Sequence, residues 1–235
     1  MIWKGLKIVS NKEVYPPKPA SLFFAQAVIK IIKPRQEVLE VGTGSGVVAI
    51  AVGKFVKGSK VIASDINPEA ISVAKQNAEI NKVKVDFIRG DFLKPFKGKK
   101  FDAMLIHPPA IAYPKGETWG MSKGMTIATN GGPDGSKLVI KSIVESKKYL
   151  KPKGKLFLLL PHWSNTKLAY KALRSNYSSI KTLAKKRVEF FPLSEGKPNK
   201  KVLEHARNLA KRGIIELHFV KGRAFSFVSV MEARI

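Results

Sequence analysis

Short apolar runs alternate along this chain with longer stretches in which apolar residues recur every three or four positions, and glycine, proline or asparagine punctuates the joins. A short apolar run between turn residues reads as a buried strand, and a 3.6-residue recurrence reads as an amphipathic helix. After the proline-rich entry Tyr15-Pro16-Pro17-Lys18-Pro19, the pattern predicts a helix over 20–33 and a strand over 37–41. A helix from Gly46, a strand over 60–64, a helix over 68–81, and strands over 84–89 and 101–106 follow. Pro68 suits the first turn of its helix, where a missing N–H costs nothing. A glycine-rich loop is expected over 107–135, then a helix over 136–150, a Lys153-Gly154 turn and a strand over 155–160. The last part predicts a helix over 165–175, a strand over 183–191, a helix over 200–212, and strands over 214–220 and 224–233. Such alternation argues for a parallel α/β sheet. The 107–135 loop is too long for a simple connection, and loops of that length are usually functional or disordered.

Within that frame one junction carries chemistry. The run Val38-Leu39-Glu40-Val41 enters Gly42-Thr43-Gly44-Ser45-Gly46, which opens the apolar helix. Glycines permit positive φ and a close approach of ligand to backbone, while the free N–H groups of the helix start face the ligand. Glu40 stands two positions before the loop, and the next strand ends in Asp65-Ile66-Asn67-Pro68. A carboxylate about 20 residues past such a loop suits a ribose diol, because it accepts from both hydroxyls.

Composition narrows the class. The 235 residues, 44% of them hydrophobic, fit one domain spanning 1–235, with an N-terminal helical extension (about 1–34) and a basic insertion (about 192–213). No apolar run approaches the roughly 18 residues of a membrane span, and the first residues lack a signal-peptide core, so a cytoplasmic protein is expected. With no cysteine and four scattered histidines, no metal site is expected. Lys+Arg number 43 against 17 Asp+Glu, a net charge of +26. That excess favours a polyanionic partner through counterion release and long-range steering. A lysine-rich thermophile surface would normally add glutamate as well. Residues 181–223 alone carry twelve Lys/Arg against four Glu.

With these residues in hand, the chain resembles the class I methyltransferases that use S-adenosylmethionine. The resemblance implies a Rossmann-like, seven-stranded, mostly parallel sheet with helices on both faces. It places Gly42, Thr43, Gly44 and Gly46 beside the methionine part of the cofactor, with Glu40 helping to hold that part. Asp65 would grip the ribose and Asp91, in Arg89-Gly90-Asp91-Phe92, would meet the adenine amino group, with Ile66 and Phe92 sandwiching the ring.

In relatives that methylate planar amino groups, the end of the fourth strand reads Asn or Asp, Pro-Pro, then an aromatic. Here it reads His107-Pro108-Pro109-Ala110. Neither proline has an N–H to compete with their carbonyls, and a neutral imidazole can still accept one hydrogen bond. Tyr113 or Trp119 would supply the missing stacking surface. Asn130-Gly131-Gly132-Pro133-Asp134-Gly135 resembles the Gly-Gly-x-Asp-Gly segment of protein-glutamine methyltransferases and of relatives acting on RNA adenine. The first expectation is therefore N-methylation of a base amine, adenine N6, in ribosomal or transfer RNA. Methylation of a glutamine in a translation factor, and a catalytically silent RNA-binding module, are the alternatives.

Overall fold

The computed structural model describes residues 1–115, 122–190, 193–194, 197–198 and 200–235. It opens with a small antiparallel hairpin, β1 (Ile2–Trp3) and β2 (Leu6–Lys7). The next elements are α1 (Pro19–Ile31), β3 (Glu37–Val41), α2 (Val47–Phe55), β4 (Lys60–Asp65), α3 (Pro68–Ile80), β5 (Asp86–Arg89) and β6 (Phe101–Ile106). Then come α4 (Lys123–Thr129), α5 (Lys137–Ser146), β7 (Leu150–Pro161), α6 (Thr166–Asn176) and β8 (Ser179–Glu189). A two-residue pair, β9 (Leu193–Ser194) with β10 (Lys197–Pro198), precedes α7 (Lys200–Lys211), β11 (His218–Val220) and β12 (Arg223–Arg234).

The central sheet runs β5-β4-β3-β6-β7-β12, with β8 on the free edge of β12. Strands β3 to β7 are parallel, and β12 is antiparallel to its neighbours. The expected α/β sheet is therefore present, with β11 as a short eighth strand. Lys221 and Gly222, at φ 47° and 76°, close the β11–β12 hairpin as a two-residue turn whose twist matches the strands. Of the 214–220 run only His218–Val220 pairs. Gly213 has φ 65°, and Ile215 turns into a core beneath α7 instead of joining the sheet.

Burial explains why the parallel strands read as continuous apolar runs, since both faces are covered. Val38, Ala103, Leu105, Phe157 and Leu159 pack against α1 and α2, whereas Leu39, Met104, Ile106, Leu156 and Leu158 pack against α5 and α6. The parallel strands thus end together along one edge.

Two segments depart from expectation. The region 107–135 contains α4 and folds back on itself: Ile111 N–H donates to the Thr129 carbonyl and Tyr113 N–H to that of Gly132. The N-terminal extension is not simply helical, because residues 7–17 form an extended strap along α3. Asn77, fully buried, accepts from Val9 N–H and donates to the Val9 and Ser45 carbonyls; Asn81 holds Lys7 in the same way. Removing this amide strands the buried Ser45 carbonyl, at a cost of roughly 1–3 kcal/mol, and leaves the part-buried Val9 groups to water. Asn77→Ala is expected to lower urea-unfolding stability by that amount, and a change within error would show the strap to be held by other contacts.

Candidate active site

The site grows from the turn after β3. Gly42, Gly44 and Gly46 have φ of 76°, 56° and 81°, a region that side-chain-bearing residues rarely adopt. Gly44 needs glycine for conformation alone, because an added Cβ would meet nothing within 4 Å; at Gly46 it would also press on Ala74 at 3.0 Å. Neighbouring strands hold this turn. Gly42 and Thr43 N–H donate to the Ser64 carbonyl at 2.8 and 2.9 Å, and Gly44 N–H to Asp65 Oδ2 at 2.9 Å. Glu40 Oε2 accepts from the Thr43 hydroxyl at 2.6 Å and from Ala49 N–H, in the first turn of α2, at 2.9 Å. Burial pushes the Glu40 carboxyl up to about 8, against those two hydrogen bonds.

A cleft of about 330 Å³ lies in front of the turn. Glu40, Gly42, Thr43, Gly44, Asp65, Ile66, Asp91 and Phe92 line it. Gly46 is the exception, sitting behind as the N-cap of α2. Asp65 is raised by burial and opposed by hydrogen bonds from Asn67, Gly44 and Ile66 N–H. Ile66 is 45% exposed, an apolar side chain open to the cleft. Asp91 is bonded to Lys94 at 2.5 Å, which lowers its pKa, and the Lys141 ammonium lies 4.8 Å from the Phe92 ring centroid.

At the end of β6, His107, Pro108, Pro109 and Ala110 line the same cleft. His107 has no hydrogen-bond partner among the described residues; the Phe24 ring stands edge-on to it at 6.5 Å, and burial lowers its pKa to about 4. The glycine-rich motif braces this turn from behind. A Cβ on Gly131 would lie 2.6 Å from Ala110 Cα, and one on Gly135 2.3 Å from the Ala110 carbonyl oxygen. Asp134 accepts from Ser136 N–H and hydroxyl and from Asn165, which N-caps α6. These bonds outweigh its burial and keep its carboxyl below the usual range.

Tyr113 is not the stacking surface expected of it. It is 2% exposed, its hydroxyl is bonded to Thr129 at 2.5 Å, and it packs in the core under α7. Trp119 lies outside the described residues. Besides Phe92, the aromatic side chains that line the cleft among the described residues are Tyr15, on the strap, and Trp163, just past β7, whose buried indole N–H has no hydrogen-bond partner among those residues. Periodicity gave no sign of either, because one precedes a run of prolines and the other lies in a loop.

The sheet order and the glycine turn at its carboxyl edge define the class I methyltransferase fold. Residues 7–119 match the family model of the methyltransferase small domain. A Methanocaldococcus jannaschii protein, provisionally named a protein N5-glutamine methyltransferase, is 31% identical over 80% of this chain and 92% of its own length. The release factor glutamine methyltransferase of Clostridium acetobutylicum is 35% identical over 64% of this chain and 56% of that protein. The chain spans 44 to 67% of the release factor enzymes it matches. Among solved structures, the E. cuniculi Mtq2-Trm112 complex, responsible for methylation of the eRF1 termination factor, superimposes with TM-score 0.59 at 14% identity. That match covers 95% of this chain and 99% of the other. A Pyrococcus furiosus methyltransferase gives 0.55 at 20% identity, over 97% and 89%. The chain belongs to this family of S-adenosylmethionine-dependent methyltransferases. Among the described residues no group could hold a metal ion, and no helix is long and apolar enough to cross a membrane.

The raised Glu40 pKa has a definite sign for stability. The folded state keeps its proton up to about pH 8, whereas an unfolded glutamate loses it near pH 4.3. This contribution is therefore fully present below the lower value and is lost as pH rises through the upper one. Glu40→Gln can still accept from Thr43 and Ala49, so the ligand-free variant is expected to melt higher than the parent at pH 8–9 and to match it near pH 4. Parallel melting curves across pH would remove Glu40 as the source.

Proposed function

We propose that this chain transfers a methyl group from S-adenosylmethionine to the side-chain amide nitrogen of a glutamine in a protein substrate. One observation carries the reading: the His107-Pro108 turn and the glycine turn with Asp65 line a single cleft. The relatives named as glutamine methyltransferases favour an amide over the base amine first expected.

The cleft fits the cofactor. Space in front of Gly42 and Gly44 is open, Asp65 has lone pairs left for a diol, and Ile66 and Phe92 offer apolar surface. Its lining includes Glu13, Asp65 and Asp91, and among the described residues Lys141 is its one Lys or Arg, so a strongly basic protein keeps an acidic hollow suited to a cationic ligand. When bound, S-adenosylmethionine supplies an electrophilic methyl group. The chain's part is alignment. Neutral His107 and the Pro108 carbonyl accept from the amide N–H groups and turn the nitrogen toward the cofactor, while Trp163 and Tyr15 flank the planar amide.

Methylating a base amine in RNA is the second reading, favoured by the +26 charge. Incubation with methyl-labelled cofactor and cell extract separates the two: label in protein, mapped to glutamine by mass spectrometry, is expected, and label confined to RNA would overturn the glutamine reading.

His107→Ala should leave cofactor affinity unchanged while turnover falls on the order of 10²-fold. His107→Asn should recover part of it, because an amide oxygen also accepts. Parent-like turnover in His107→Ala would move the chemistry elsewhere.

The depressed pKa also sets a pH dependence. His107 is neutral above about 4, so turnover should show no histidine titration between pH 6 and 8 and should decline only as pH falls toward the lower value. A rate inflection near the ordinary histidine pKa of about 6.5 that disappears in His107→Asn would show that the imidazole is not held neutral.

A further inference from the structure

Beyond α6, the β8–β12–β11 end of the sheet carries an open face that methyl transfer does not use. Residues directly opposite in antiparallel strands project to the same side. Phe227 is opposite Arg187, Ser229 opposite Lys185, and Phe225 opposite both Glu189 and His218. The Lys185 ammonium lies 4.2 Å from the Phe227 ring centroid. The guanidinium groups of Arg187 and Arg223 lie 4.5 and 5.6 Å from that of Phe225. The three cations are exposed and the two rings half-buried. Arg223 pairs with Glu189, and Lys185 is 4.0 Å from Glu216, but among the described residues no carboxylate reaches Arg187.

We propose that this face docks single-stranded RNA. Cations seated on aromatic rings are fixed in place, and a stacked guanidinium keeps N–H groups free at its edge for phosphate oxygens. Flat rings and guanidinium planes side by side also give unpaired bases surfaces on which to stack. An acidic peptide would use the charges and leave the rings idle. RNA, more than duplex DNA, presents unpaired bases in loops and bulges.

Position ties the face to the cleft. Val228 pairs with Pro161, and Pro161 and Trp163 line the cleft. Between them, His162 donates its N–H to the Phe227 carbonyl, and its ring lies 6.2 Å from that of Phe227. A strand of RNA on this face therefore runs to the mouth of the cleft. The inference holds whichever nitrogen is methylated, and its test reads binding alone.

The test is fluorescence anisotropy of the full chain with labelled oligouridine across a salt series. Each phosphate contact to a single strand contributes about 0.7 to the slope of log K against log salt. The double variant Lys185→Gln, Arg187→Gln should flatten that slope by about 1.4 and weaken binding on the order of tenfold near 0.1 M salt. It should keep its affinity for cofactor. Lys97→Gln, Lys99→Gln, Lys100→Gln, on exposed residues far along the chain from this face, should leave the slope unchanged. An equal loss in that triple variant would show a diffuse charge effect and overturn the proposal. On the parent protein, duplex RNA binding as tightly as oligouridine would rule out base stacking, and polyglutamate competing equally would point to an acidic protein instead.

Discussion

The turn from Gly42 to Gly46 is held by its own strand and by the neighbouring one, and the rest of the cleft depends on that. The Ser64 carbonyl takes two of its N–H groups and Asp65 a third, while Glu40 bonds Thr43 and reaches the first turn of α2. All three anchors sit at or near the carboxyl ends of β3 and β4, whose register is set by parallel pairing of Glu40 with Ala63 and of Val41 with Ser64. A slip of one residue would send these side chains to the opposite face. Apolar packing on both faces of the sheet, which fixes that register, thereby fixes the site.

What was legible in the sequence is what local periodicity and loop chemistry encode. Strands 37–41 and 101–106 are apolar at most positions (Val38, Leu39 and Val41; Phe101 and 103–106), and they form as Glu37–Val41 and Phe101–Ile106. The glycine turn, Asp65 and the His107-Pro108 turn were legible for a related reason: backbone conformation and strand ends demand particular residue types. Helix α4 was not, because Lys123–Thr129 is short and holds a glycine, and its helicity rests on tertiary contact. A Cβ on Gly124 would meet the Glu13 carbonyl oxygen at 2.1 Å.

That contact also explains why the N-terminal strap escaped the pattern. Its backbone groups are satisfied by the side chains of Asn67, Asn77 and Asn81, so it needs neither strand nor helix periodicity to be ordered. Asn67 bonds Glu13 on one side and, through its own N–H, Asp65 on the other. Glu13 and Tyr15 thus reach the cleft through partners more than 50 residues away in the chain. Long-range contacts of this kind leave no local signature.

The Gly-Gly-x-Asp-Gly segment shows how a motif can belong to a site without lining its cleft. Gly131 and Gly135 admit the backbone of Ala110 to within a distance that any side chain would forbid, and Asp134 fastens the same segment to the start of α6. The His107 turn is thereby clamped between β6 and this brace, with Phe24 against the imidazole. A histidine in that position is desolvated before any substrate arrives, which keeps it uncharged. Neutrality lets one ring nitrogen accept a hydrogen bond, so His107 offers the acceptor on which the amide reading rests.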